Sequence, residues 1–76
     1  MKYTTDEEIK LGDIVGVGRD DTGVVVGVID AREFLEGYLA EDWVYLSSGV
    51  LILTQAAGLI HYPEPDCELQ LIARKV

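Results

Sequence analysis

The run VVVGVI, residues 24 to 29, constrains the fold more than any other stretch of the chain. β-branched side chains lose freedom in a helix and pack well on a pleated surface, so the run predicts a strand. With a two-residue period, Val24, Val26 and Val28 share one face and Val25 and Ile29 the other. Both faces are apolar, which predicts a central strand wrapped into a closed sheet. Similar short runs recur: IVGV at 14–17, entered through Leu11-Gly12-Asp13, then GVLILT at 49–54, GLIHY at 58–62 and ELQLIA at 68–73. GRDDTG divides the first pair, with Gly23 expected to take positive φ and reverse the chain, and QAAG makes the later hairpin. Five or six short strands joined by tight turns within 76 residues predict a mainly all-β single domain over residues 1–76, a small barrel or roll.

One segment breaks the pattern. AREFLEGYLAEDWVYLSS, residues 31 to 48, has no strand signal. Phe34, Leu35, Tyr38 and Leu39 are spaced to share a helical face, while Gly37 lowers helix propensity among them. A short helical or irregular insertion near residues 31–46 is expected, as one or two helical turns or a folded loop.

IKLGDIVGVGRDDTGVVVGVID resembles the opening of KOW-type, Src homology 3-like barrels. In those proteins an apolar residue and Gly-Asp introduce a strand, and a polar turn ending in glycine leads to a valine-rich second strand. Leu11, Gly12, Asp13, Val15, Val17, Gly23, Val24 and Val26 fit that pattern. The resemblance implies a five- to six-stranded barrel and says little about activity, since the fold hosts many. KOW-type modules often bind nucleic acid through basic surfaces, and here Asp20 and Asp21 stand beside Arg19 instead. The whole chain, with its GVLI…GLIHYPEPD…L.LI ending, is also similar to small bacterial proteins encoded beside Rhs-type polymorphic toxins. That similarity implies an immunity or accessory protein that sequesters its cognate toxin.

Charge narrows the partners. Fourteen acidic residues against six basic ones leave a formal charge of −8. A field of one sign on so small a body repels phosphate backbones and draws in basic partners, so nucleic-acid binding is not expected. Solubility alone is an equal reason for such charge. Cys67 has no second cysteine to pair with, the N-terminal residues lack the apolar segment of a secretory signal, and the longest apolar runs, VVV and VLIL, are far short of a membrane span. The expected location is the cytoplasm, without membrane contact.

Chemistry is sparse. Gly16, Gly18 and Gly23 miss the spacing of a dinucleotide fingerprint, and Val-Val follows where a P-loop needs Lys-Ser/Thr. His61, Glu64, Asp66 and Cys67 are metal-ligand types, yet no C-x-x-C or H-x-x-x-H pair anchors them and Pro63 and Pro65 stiffen the backbone between, so no metal is expected. Ser47 and Ser48 have His61 as a conceivable base but no nucleophile-elbow spacing. Neither an enzyme nor a cofactor is expected. GLIHYPEPD reads as a strand terminus: His61 and Tyr62 point to opposite faces, Pro63 ends the ladder, and Asp66 caps a short turn, leaving His61 as a rim contact.

The strongest functional signal is in the insertion. Phe34, Tyr38, Trp43 and Tyr45 alternate with Glu33, Glu36, Glu41 and Asp42, against Arg32. Aromatic side chains dominate protein interfaces, and carboxylates around them speed encounter with a basic surface. The competing reading has the aromatics plug the open end of the barrel with the acids as its solvated rim. The expected function is a non-enzymatic, acidic protein-binding domain, monomeric or weakly homodimeric, most sharply an immunity protein for a basic toxin domain. Alternatives are an adaptor with a peptide-binding groove and, behind it, a small metal- or ligand-binding protein using His61.

Overall fold

A computed structural model describes residues 2–64 and 68–74. The expected all-β architecture is what the chain forms. The strands are β1 (Ile14–Val17), β2 (Asp21–Val28), β3 (Glu33–Phe34), β4 (Val50–Thr54), β5 (Gly58–Tyr62) and β6 (Leu69–Ala73). They make a single antiparallel sheet in the order β5-β4-β2-β1-β6, with β3 added beside β2 past the end of β1. β2 is central, as its two apolar faces require. The barrel is not closed: β5 and β6 are the two ends of the sheet and do not pair with each other. Pro63, which has no N–H for a ladder, follows the last residue of β5.

The faces of β2 differ from simple alternation. Val25 pairs with Ile52 and Gly27 with Leu51, so one residue is extra on the β2 side. This bulge shifts the pleat by one position. Val28 therefore joins Val25 on the inner face, and Val24, Val26 and Ile29 occupy the outer one. The inner cluster gathers Val15 and Val17 of β1, Val25 and Val28 of β2, Val50 and Ile52 of β4 and Leu69 of β6, flanked by Tyr62 and Leu71. Tyr3 and Ile9 complete it from the N-terminal segment, where no strand was expected. Lys2 forms an isolated bridge with Glu8, and the Tyr3 amide donates to Glu7 O at 2.9 Å.

Gly18, and not Gly23, reverses the chain between β1 and β2: its φ is +67°, and Val17 pairs with Asp21 directly across the turn. Gly23 lies within β2 for a different reason. A Cβ there would sit 2.7 Å from Ile52 Cγ2 and 2.9 Å from the Leu53 carbonyl oxygen. QAAG turns as expected, with Gly58 at φ +75° and Thr54 Oγ1 donating to Gly58 O at 2.7 Å while accepting from the Ala57 amide at 3.0 Å.

Tyr3 and Arg74, far apart in sequence, meet at Asp13, which is fully buried. Its carboxylate accepts from Tyr3 Oη at 2.7 Å, the Lys10 amide at 3.0 Å and Arg74 Nε at 3.1 Å. Arg74 also donates to Glu8 O at 2.7 Å. Burial opposes ionisation of Asp13, but the Arg74 hydrogen bond, then those from Lys10 and Tyr3, hold its pKa below the usual carboxylate value. Burial, and then the hydrogen bond to Asp13, push the Tyr3 phenol far above its ordinary range.

Candidate protein-binding surface

The insertion leaves the end of β2 through a 3-10 turn, Ile29–Ala31, which stops at Arg32 in a left-handed conformation, φ +54°. Its two ends are clamped at the base. Asp30 Oδ1 accepts from the Gly49 amide at 2.9 Å, and the Ile29 amide donates to Gly49 O at 2.9 Å. β3 then runs back along β2, with Phe34 opposite Gly27 and the Leu35 amide donating to Val26 O at 2.9 Å. Gly27 is glycine because the Phe34 ring lies over it: a Cβ would be 2.8 Å from Phe34 Cδ1. A turn at Gly37, φ +94°, leads to the short helix α1 (Ala40–Trp43) and a 3-10 turn, Val44–Leu46.

No helix spans residues 34 to 39. Phe34 is in a strand and Leu39 is 56% exposed, so the four residues do not share the expected helical face. The spacing that suggested a helix arises because a two-residue strand and a turn happen to bring Phe34, Leu35 and Tyr38 to the same side. These three, with Trp43 and Leu46, pack on the outer cluster of Val26, Ile29 and Leu51. The aromatics thus cover the outer face of the sheet and do not plug a barrel end.

Phe34, Tyr38 and Trp43 are half-buried, with part of each side chain still presented to solvent. Tyr45 is 73% exposed. Glu33, Glu36, Glu41 and Asp42 are all exposed around them. The arrangement is a packed apolar underside with an acidic, partly aromatic top. His61 pairs with Leu51 across the β4–β5 ladder, so it sits on the same outer face, and its Nε2 donates to Ser48 O at 2.9 Å. It braces the exit of the insertion. Gly49 is squeezed beneath this brace, since a Cβ there would lie 2.7 Å from Pro63 Cα and 2.9 Å from His61 Nε2.

Two features were missed by pattern reading. Leu39 was expected to share a helical face with Phe34, Leu35 and Tyr38 and is instead an exposed apolar side chain. An open groove of about 490 Å³ lies beside the insertion, lined by Glu8, Lys10, Leu11, Val28, Asp30 and Glu33 among others. Glu33 of the candidate surface forms part of its wall. No group of three or more His, Cys, Asp or Glu among the described residues is placed to hold a metal ion. Asp66 and Cys67, and with them the expected cap before β6, lie outside the described residues. No helix among the described residues is long and apolar enough to cross a membrane. No family model, curated protein or solved structure matches the chain.

Proposed function

We propose that this protein is a non-enzymatic binding domain that uses the insertion from Glu33 to Tyr45 to hold a basic protein partner. The observation that carries the reading is the exposure of Tyr45 (73%) and Leu39 (56%) among Glu36, Glu41 and Asp42 on a segment pinned at both ends. Large apolar and aromatic groups bury much area on binding, and the acids supply attraction and speed. In its sharpest form the protein is a cytoplasmic immunity protein whose carboxylates occupy the phosphate-binding groove of a nucleic-acid-directed toxin domain. That form rests on the resemblance of its sequence pattern to toxin-neighbour proteins.

The test is co-expression with toxin domains encoded beside the gene, scored by survival and by affinity in vitro. Tyr45→Ala is expected to weaken binding by about 2 kcal/mol while leaving the fold unchanged. Trp43→Ala and Tyr38→Ala remove half-buried groups and are expected to lower stability as well. If Tyr45→Ala and Leu39→Ala both protect cells and bind as the parent does, the insertion is not the contact surface.

A further inference from the structure

Beyond the insertion, the outer face of the sheet carries a row of apolar side chains that nothing in the chain's described residues covers completely. Cross-strand pairing sets it out: Leu59 opposite Leu53, Leu53 opposite Val24, Val24 opposite Ile14. Paired residues on antiparallel strands share a face, and Val24 belongs to the outer cluster. Ile72 extends the row onto β6, because its Cδ1 lies 3.4 Å from where a Cβ of Gly16 would stand, on the face opposite Val15 and Val17. Leu53, Leu59 and Ile72 are 44%, 37% and 58% exposed. With Leu39 and Tyr45 they are the exposed large apolar side chains of the described residues, and all five lie on the outer face or on the insertion packed against it. Contiguous exposure of this type marks an interaction site.

We infer that this row is the docking site for an amphipathic, cationic helix of a partner protein. Five adjacent strands span about 19 Å, the length of about 13 residues of α-helix. A helix with apolar residues at i, i+3/i+4 and i+7 meets such a row with one stripe. Charge selects the sign of its flanks. On one side the row is bordered by Gly16, Thr22 and Gln70, which are uncharged. On the other stands the insertion with exposed Glu33, Glu36, Glu41 and Asp42. A second copy of this chain would bring another −8 surface against those acids. Lys or Arg on the helix flank facing the insertion would meet them favourably. This rests on the reading of the protein as a binder of basic partners and adds a second, apolar contact to it.

The experiment titrates the isotopically labelled full chain with a 14-residue Leu/Lys peptide patterned as an amphipathic helix, followed by amide chemical shifts. Controls are a scrambled peptide of the same composition and one with Glu for Lys. Expected are shifts centred on Ile14, Val24, Leu53, Leu59 and Ile72, and at least a tenfold loss of affinity for Leu53→Ser/Leu59→Ser with an unchanged circular dichroism spectrum. Ile72→Ser, at the sheet edge, provides a second variant if the pair unfolds. The inference is overturned by no binding, by shifts confined to residues 33–46, by equal binding of either control, or by a dimer of the free protein that Leu53→Ser/Leu59→Ser dissociates. If Tyr45→Ala weakens a basic partner and the row variants do not, the row fails while the binding reading stands. If the row variants lose the peptide and Tyr45→Ala and Leu39→Ala change nothing, the row stands and the insertion reading fails.

Discussion

Asp13 is where the identity of a single residue matters most to this fold. It is fully buried, and every hydrogen-bond partner of its carboxylate is a donor: a phenol, an amide and a guanidinium. Asp13→Asn keeps the shape but turns one acceptor into an NH₂ aimed at those donors. A loss of about 2 kcal/mol is expected, because the buried donors around it lose an acceptor. Tyr3→Phe removes one of the donors and is expected to cost about 1 kcal/mol. The pH dependence follows from the direction of the shift. The Asp13 pKa is lowered in the folded protein, so its contribution is complete above the unfolded carboxylate value of about 4 and is lost as pH falls through the folded value. Urea unfolding at pH 7, 5 and 3 checks this. The parent should be nearly level between pH 7 and 5 in this contribution and fall towards pH 3, and Asp13→Asn should lack that part of the fall. The Tyr3 phenol adds the opposite limb: its raised pKa gives stability present below about pH 10 that is lost as the unfolded chain's tyrosine ionises.

Among elements, the insertion depends on its anchor more than on its own turns. Gly37 and Gly49 both have positive φ, +94° and +104°. A Cβ on Gly37 meets nothing within 4 Å, whereas on Gly49 it runs into the backbone at Tyr62 and Pro63. Gly37→Ala is therefore expected to cost about 1 kcal/mol from backbone strain alone. Gly49→Ala adds a collision with backbone that has no rotamer to relieve it, and about 3 kcal/mol or more is expected. Thermal unfolding of the two variants separates the cases, and equal shifts would mean that the base of the insertion yields easily. The same elements show what pattern could and could not reveal. Alternating β-branched runs located β1, β2, β4, β5 and β6 within a few residues, because a half-buried strand writes its period directly into the chain. The bulge at Val26-Gly27 left no local signal, and it moved Val28 to the other face. β3 is two residues long and exists by pairing with β2. The Asp13 network joins residues 61 apart in sequence, and no window contains both partners. For the candidate surface, composition marked the segment. Only the fold decides that Tyr45 is offered while Phe34 packs inward.

At the scale of the whole molecule, the dominant quantity is the charge. The formal −8 is spread over a body of 31 × 25 × 24 Å. At 0.01 M salt the screening length is about 30 Å, so every exposed carboxylate feels every other; at 0.15 M it is about 8 Å, and only neighbours interact. Self-repulsion should therefore lower stability at low salt, and a gain of about 1 kcal/mol between those conditions corresponds to a rise of roughly 4–8 °C in melting temperature for a chain of this size. The Asp13–Arg74 pair, whose Asp13 is fully buried although Arg74 is partly exposed, is screened less than the surface carboxylates and does not oppose the trend. Glu36→Gln/Glu41→Gln/Asp42→Gln removes three of the excess negative charges without touching the apolar underside of the insertion, so it should melt higher at 0.01 M and show a smaller salt response. The field that strains the free protein is also the one that draws in a basic partner. Association with that partner should be fastest at the low salt where the free protein melts earliest, and the triple variant should lose rate as it gains stability. Melting curves and stopped-flow association over the same salt series test both halves together. A melting temperature indifferent to salt in both proteins would mean that the acids are locally compensated, and charge steering would then have no physical source.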